Sequence, residues 1–259
     1  MNTLGNYRLH WRVSREAADL RRERRPQAPV SFPAEPQHLT LDLEQCAMIV
    51  VDMQNDFCSP QGWLGSIGVD TAGLLAPVRP LTLLLPELRR LRVPVVWLNW
   101  GNREDRMNLS PSVLHVYDPD GGGNGIGSPL PESGSRVLEK GSWGAALIDE
   151  LTAEPDDIHV DKYRMSGFWD TPLDSILRNL GVSTLLFAGV NLDQCVMHTL
   201  QDAVCLGYDA VLLADCCATS SPDYCKEATF YNVKTCYGFV ADSGAVLAAM
   251  EAAGGKGNE

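Results

Sequence analysis

The sequence predicts a three-layer α/β/α protein: a doubly wound, mostly parallel sheet of six strands with helices on both faces. Three observations carry that reading. Short apolar runs occur without the polar alternation of a half-exposed strand, so their residues face protein on both sides. Amphipathic, helix-like patterns separate successive runs, as crossover connections between parallel strands require. The length of 259 residues, with 45% hydrophobic and 21% charged residues, suits one sizeable core and is marginal for two.

In chain order, residues 14–25 read as a short charged helix, and the Pro-rich stretch 26–36 ("PQAPVSFPAEP") as a connector that cannot hold one. "CAMIVVD" (46–52) is the first strand, with "LTLLLPELRRLR" (81–92) as the following helix. "VPVVWLNW" (93–100) and "DIHVDK" (157–162) are the second and third strands. "TPLDSILRNLG" (171–181) is a helix that stops at Gly181, a residue free to take the left-handed conformation of a helix end. "STLLFAGV" (183–190), the helix "CVMHTLQDAVCLGY" (195–208), "DAVLLAD" (209–215) and "TCYGFVAD" (235–242) complete the series. Between the second and third strands, residues 101–140 are rich in Gly, Pro, Ser and Asp. A loop that long in a compact domain is expected to cover an active site or to be a tolerated surface insertion. The organisation expected is an Arg/Pro-rich arm over residues 1–39, one domain over 40–250 and a flexible tail over 251–259.

The net charge of −12 argues against non-specific binding to nucleic acid or anionic membrane. One local exception lies in residues 1–30, where seven Arg face three acidic residues. That arm lacks interleaved aromatics, so packing on the acidic body or on another subunit is expected in place of RNA contact. The first residues contain no apolar signal core and no run reaches membrane-spanning length, so a cytoplasmic location is expected. The eight cysteines form no Cys-x-x-Cys pair and the five histidines no metal-binding spacing; reduced thiols and no metal or other cofactor are expected.

Ligands of an open doubly wound sheet bind at the carboxyl ends of its strands, where strand order reverses. Three ionisable residues fall at such ends: Asp52 closes the first strand, Lys162 the third, and Cys195 follows the fourth. A helix N-terminus and a nearby ammonium both favour thiolate, so a lowered Cys195 pKa is expected; a carboxylate can take the thiol proton and return it to a leaving amine. Each residue taken alone has a plainer explanation. Cys195 suits a small buried hydrophobe, Asp52 a turn former, and Lys162 a surface partner of Asp161. Their joint placement at three strand ends is what argues for chemistry.

"IVVDMQNDFC" (49–58), the stretch 161–215 and the order Asp, Lys, Cys resemble the isochorismatase-like cysteine hydrolases over roughly residues 40–245. Within them, "KGSWGAALIDEL" and "YRMSGFWDTPLDSILRNLG" are most similar to ureidoacrylate amidohydrolases and their biuret-type relatives. The resemblance implies Cys195 as nucleophile, Asp52 as general acid/base and Lys162 as their electrostatic partner. It also implies a cis peptide at Val190–Asn191, with the backbone N–H groups of Asn191 and Cys195 forming an oxyanion hole. Phe57 and Phe168 match positions that line the site in relatives, while Asn99 and Trp100, ending the second strand, are placed to reach it; the resemblance further implies a small linear amide or ureide split through a thioester, and a homo-oligomer. Ala218 and Thr219 stand where the ureidoacrylate enzymes have a His-Gln pair, and Asn99-Trp100-Gly101-Asn102 lacks the Asp-x-His of metal-binding nicotinamidases. Two rivals stay open, a nucleotide binder on the same fold and a non-catalytic scaffold, although no G-x-G-x-x-G follows the first strand.

Overall fold

The computed structural model describes residues 1–21 and 26–254. The chain opens with a small antiparallel sheet of β1 (Asn2–Gly5), β2 (His10–Val13) and β3 (Ala18–Asp19). The helix expected over 14–25 is absent from its described part. Ser14 Oγ accepts the backbone N–H groups of Glu16 and Ala17, a local turn that competes with helix. Ala18 and Asp19 then pair back onto β2. A segment this charged has no apolar stripe to bury, so nothing rewards the helical alternative; residues 22–25 lie outside the described residues. Arg8 anchors the arm by donating to the carbonyls of Glu44 and Arg92.

The Pro-rich connector holds short strands that its composition hides. β4 (Pro29–Phe32) pairs antiparallel with β6 (Leu39–Asp42), its proline at the first position. Between them β5 (Ala34–Glu35) adds to the edge of the main sheet.

That sheet is built from β7 (Cys46–Val51), β8 (Val95–Trp100), β9 (Ile158–Lys162), β10 (Thr184–Gly189), β11 (Asp209–Cys217) and β12 (Phe239–Ala241), in the order β5-β12-β11-β10-β7-β8-β9. The six expected strands are all parallel to their neighbours; the two-residue β5 adds an antiparallel seventh. Every residue of β7 and β10 is buried, which is why both read as uninterrupted apolar runs. Strand order reverses between them, and the crevice at that point opens on Asp52 and on the loop that carries Cys195.

Helices α1 (Asn55–Cys58) and α2 (Trp63–Ser66) follow β7 directly, and α3 (Val78–Arg90) leads to β8. α3 buries Leu81, Leu84, Leu85 and Leu88, the spacing of one helical face. The segment 101–140 is not bare loop: it contains α4 (Pro111–Tyr117), opened by Ser110-Pro111. α5 (Leu173–Leu180) ends on Gly181 at φ 69°. α6 (Met197–Cys205), α7 (Asp223–Asn232) and α8 (Ser243–Gly254) complete the layers, so residues 251–254 continue a helix. Gly189 faces Val51 across the two central strands with no room for a side chain. Its φ is +114°, and a Cβ there would meet the Val51 carbonyl oxygen at 2.0 Å.

Candidate active site

Asp52 is the first residue beyond β7, and the chain turns there at φ 51° to send the carboxylate under the neighbouring strand end. Its Oδ1 accepts the backbone N–H of Trp100 at 3.0 Å. Oδ2 lies 2.8 Å from Lys162 Nζ and accepts no aligned hydrogen bond. Lys162 ends β9 in register with Trp100 of β8; its ammonium stands 4.3 Å from the Trp100 ring centroid and donates to the Arg164 carbonyl at 3.3 Å. Both side chains of the pair are essentially inaccessible, at 0% and 1% exposure.

Cys195 enters from the other side of the crevice. A wide turn over Leu192–Val196, with Val196 N–H donating to the Asn191 carbonyl, leads into α6. The thiol therefore sits one turn ahead of the α-helix proper. Thr199 fixes that turn by donating to the Cys195 carbonyl at 2.7 Å, and in turn accepts the Gly167 N–H. Cys195 Sγ packs 3.7 Å from Met165 Sδ, and the residue is 4% exposed.

The charges of the three groups act on one another. Burial pushes the Asp52 carboxyl above the ordinary carboxylate range, while the Lys162 ammonium, the Cys195 thiol and the Trp100 N–H pull it back. The Cys195 thiol is pushed up to about 12, chiefly by burial and further by Asp52, against the opposing pull of Lys162 and Trp100. This corrects the lowered thiol pKa expected from sequence. Helix end and ammonium are present, but loss of water outweighs them. At rest the sulfur keeps its proton, and a neighbouring carboxylate is needed to remove it.

The Val190–Asn191 peptide is cis. Asn191 Oδ1 accepts the Ser220 N–H at 3.0 Å, which holds the loop against the end of β11. The backbone N–H of Asn191 makes no hydrogen bond with any described residue. Thr219 and Ser221, in the stretch where the His-Gln pair is missing, bond to Asp193 and Gln194 and brace the same loop.

Of the expected lining residues, Trp100 is in the site through its contacts with Asp52 and Lys162. Its Nε1 is buried without a conventional acceptor and pulls the Cys195 thiol down. Asn99, beside it, keeps a buried and unpartnered Oδ1. Phe57 belongs to an aromatic row: Phe57 to Trp63 at 6.4 Å, Trp63 to Tyr117 at 4.9 Å, and Tyr117 to Trp100 at 5.3 Å. Phe168 packs on Tyr208 at 5.9 Å, and Met165 is the residue of that segment found against the sulfur. Sequence reasoning missed Trp63, Tyr117 and Met165. For Tyr117 a signal existed: the Ser-Pro helix start at 110–111 places it on the same helical face as Val113.

A second buried carboxylate, Asp56, fastens the cover. Its oxygens accept the N–H groups of Leu138 at 2.6 Å and Trp63 at 3.1 Å. Among the described residues no group of three or more His, Cys, Asp or Glu side chains converges as a metal site.

The isochorismatase domain model matches residues 46–245. Ureidoacrylate amidohydrolase RutB of Methylobacterium radiotolerans is 35% identical over 227 residues, 85% of either chain. The protein of the same name from Azorhizobium caulinodans is 34% identical over 81% of this chain and 92% of its own. Among solved structures, a cysteine hydrolase from Pseudomonas syringae pv. phaseolicola superposes with a TM-score of 0.69 at 25% identity, covering 88% of this chain and 99% of that one. N-carbamoylsarcosine amidase from Thermoplasma acidophilum gives a TM-score of 0.59 at 27% identity, over 77% and 96%. With the strand-end carboxylate, ammonium and thiol in one buried crevice, and a family match spanning nearly all of the main sheet, the chain belongs to the isochorismatase family of hydrolases.

Proposed function

We propose that the protein is a cysteine amidohydrolase that cleaves the C–N bond of a small linear amide or ureide through a thioester on Cys195. The observation that carries this reading is the buried cluster in which the Cys195 thiol, the Asp52 carboxylate and the Lys162 ammonium, 2.8 Å from Asp52 Oδ2, perturb one another. The curated relatives named for ureidoacrylate and the solved N-carbamoylsarcosine amidase support a ureido or carbamoyl substrate.

The steps follow from the groups present. The Cys195 proton passes to Asp52 as sulfur bonds to the substrate carbonyl carbon, and the oxygen takes the negative charge. The free Asn191 N–H, together with that of Cys195, receives this oxyanion. The C–N bond breaks with its electron pair going to nitrogen, which takes the proton from Asp52 and leaves as ammonia or an amine. Water then gives a proton to Asp52 and its oxygen to the thioester carbonyl. The C–S bond breaks, and the sulfur regains its proton. Lys162 keeps Asp52 usable as a base, since a carboxylate buried without a cation would stay protonated. One water is consumed per turnover, and the triad returns to its starting state.

An ammonia-release screen over biuret, triuret, ureidoacrylate, N-carbamoyl amino acids and simple amides tests the reading, with Cys195→Ser as control. Turnover by the native protein and none by the variant is expected. Turnover that survives Cys195→Ser would remove the nucleophile from the account.

A further inference from the structure

A side chain completes the sheet beside Asp52. The register between β7 and β8 stops at Val51 and Leu98, and the chain turns out of the sheet at Asp52 with φ 51°. Asp52 N–H still reaches the Leu98 carbonyl at 3.0 Å, but β8 runs on to Trp100, and no strand is left on that side to serve it. Gln54 takes the vacant place. Its Nε2 donates to the Trp100 carbonyl at 2.8 Å and its Oε1 accepts the Trp100 N–H at 2.8 Å, the two bonds a neighbouring strand would make. Nε2 also donates to the Ala145 carbonyl at 2.6 Å, in the segment that follows the cover. Gln54 is fully buried, with both amide protons and the oxygen engaged. Only an amide can do this: a carboxylate donates to neither carbonyl, and a thioether makes none of the three bonds.

The Trp100 N–H is shared. Asp52 Oδ1 accepts it too, at 3.0 Å against 2.8 Å for Gln54 Oε1. In a three-centre bond neither acceptor has the whole donor, and the shorter arm here goes to the glutamine. An N–H held by Asp52 alone would favour the ionised carboxylate further and make it a weaker base; even shared, it is among the groups that pull this carboxyl down. Asp52 has to take its proton from a thiol that holds it tightly, so basicity lost at Asp52 is lost from the transfer. The titratable groups around Asp52 are Lys162 from β9, Cys195 ahead of α6, Cys58 from α1 and Tyr117 from α4, and a substitution at Gln54 leaves all four in place.

We propose that Gln54 is a positioning residue that acts through Asp52: its amide replaces the strand missing beside Trp100 and, by holding the shared N–H, leaves the carboxylate a stronger acceptor for the Cys195 proton. This role rests on the amidohydrolase reading above, in which Asp52 takes that proton.

The test follows alkylation of Cys195 by iodoacetamide against pH, read by mass spectrometry on the peptide that contains it. In the native protein the rate is expected to rise through the Asp52 titration to a plateau, because ionised Asp52 draws the thiol proton, and Asp52→Asn is expected to remove that step. In Gln54→Met the Trp100 N–H passes to Asp52 alone. The midpoint is then expected to fall by about 0.5–1 pH unit and the plateau rate by roughly three- to tenfold, half the effect of a whole hydrogen bond to a charged group. Gln54→Glu keeps an acceptor for the N–H and is expected to hold the midpoint at or above the native one. Loosened packing alone would expose the thiol and raise the plateau in both variants without lowering the midpoint. An unmoved or raised midpoint in folded Gln54→Met overturns the proposal. So does a lowered midpoint in Gln54→Glu, which decides alone if Gln54→Met does not fold. A native profile with no step, or a step that survives Asp52→Asn, overturns instead the reading of Asp52 as the base.

Discussion

Replacing Lys162 with methionine strips the positive partner from a carboxylate that has no access to water. At 2.8 Å and an effective dielectric near 20, the gross attraction between the two charges is about 6 kcal/mol, which offsets the cost of burying both. The net loss on removing one partner of such a pair is roughly 3–5 kcal/mol, because the other is left buried and unpaired. Asp52 has an escape, the uptake of a proton. Its carboxyl is already raised by burial, and Lys162 is the first of the groups that oppose that rise. In Lys162→Met the folded-state pKa climbs further above the unfolded one, so the stability deficit shrinks at acid pH and grows as pH rises through the folded value. Urea unfolding of Lys162→Met at pH 5.5 and pH 8 measures this, with the double variant Asp52→Asn/Lys162→Met as the neutral reference. The expected result is a deficit of several kcal/mol at pH 8, a smaller one at pH 5.5, and substantial recovery in the double variant. A deficit independent of pH, with no recovery on neutralising Asp52, would refute the reasoning.

Other outcomes follow from the same structure. Asp56 has a carboxyl raised to about 6 by burial, against the pull of the Leu138 and Trp63 N–H groups. Its contribution to stability is complete below the ordinary carboxylate value near 3.8 and declines as pH rises to about 6. The total change is about 3 kcal/mol at ~1.4 kcal/mol per pH unit. Asp56→Asn should flatten this part of the urea-unfolding profile between pH 4 and 6.5; an unchanged profile contradicts the assignment. Gly189→Ala forces a Cβ to within 2.0 Å of the Val51 carbonyl at φ +114° and should cost roughly 3 kcal/mol or more, lowering Tm by roughly 6–12 °C in calorimetry. A variant as stable as the native protein would mean that the strands part more easily there than their packing implies.

The sequence was most informative where burial leaves no choice. β7 and β10 are enclosed on both faces, so their composition betrays them, and the residues just past strand ends could be read as candidates for one crevice. β5 is legible in no such way: it pairs through two backbone residues at an edge and needs no particular side chains. The arm failed differently, since Ser14, Ala17 and Ala18 fold back by local hydrogen bonds that charge patterning does not encode. The thiol is the instructive case. Lys162 and the helix end were visible in the sequence, yet the thiol of Cys195, a residue 4% exposed, answers first to desolvation, and burial of that degree is a property of the assembled fold. Tyr117 and Trp63 were missed because their meeting depends on how the cover folds back over α2.

Rapid mixing of native protein with a turned-over ureide, acid quench and peptide mass spectrometry tests the central claim most directly, that Cys195 carries the acyl group. The account predicts a transient adduct on the peptide containing Cys195, equal in mass to the substrate less ammonia or amine. That adduct should be absent from Asp52→Asn, where no carboxylate takes the thiol proton. Steady turnover with no such adduct at any quench time, or an adduct on another residue, would contradict it.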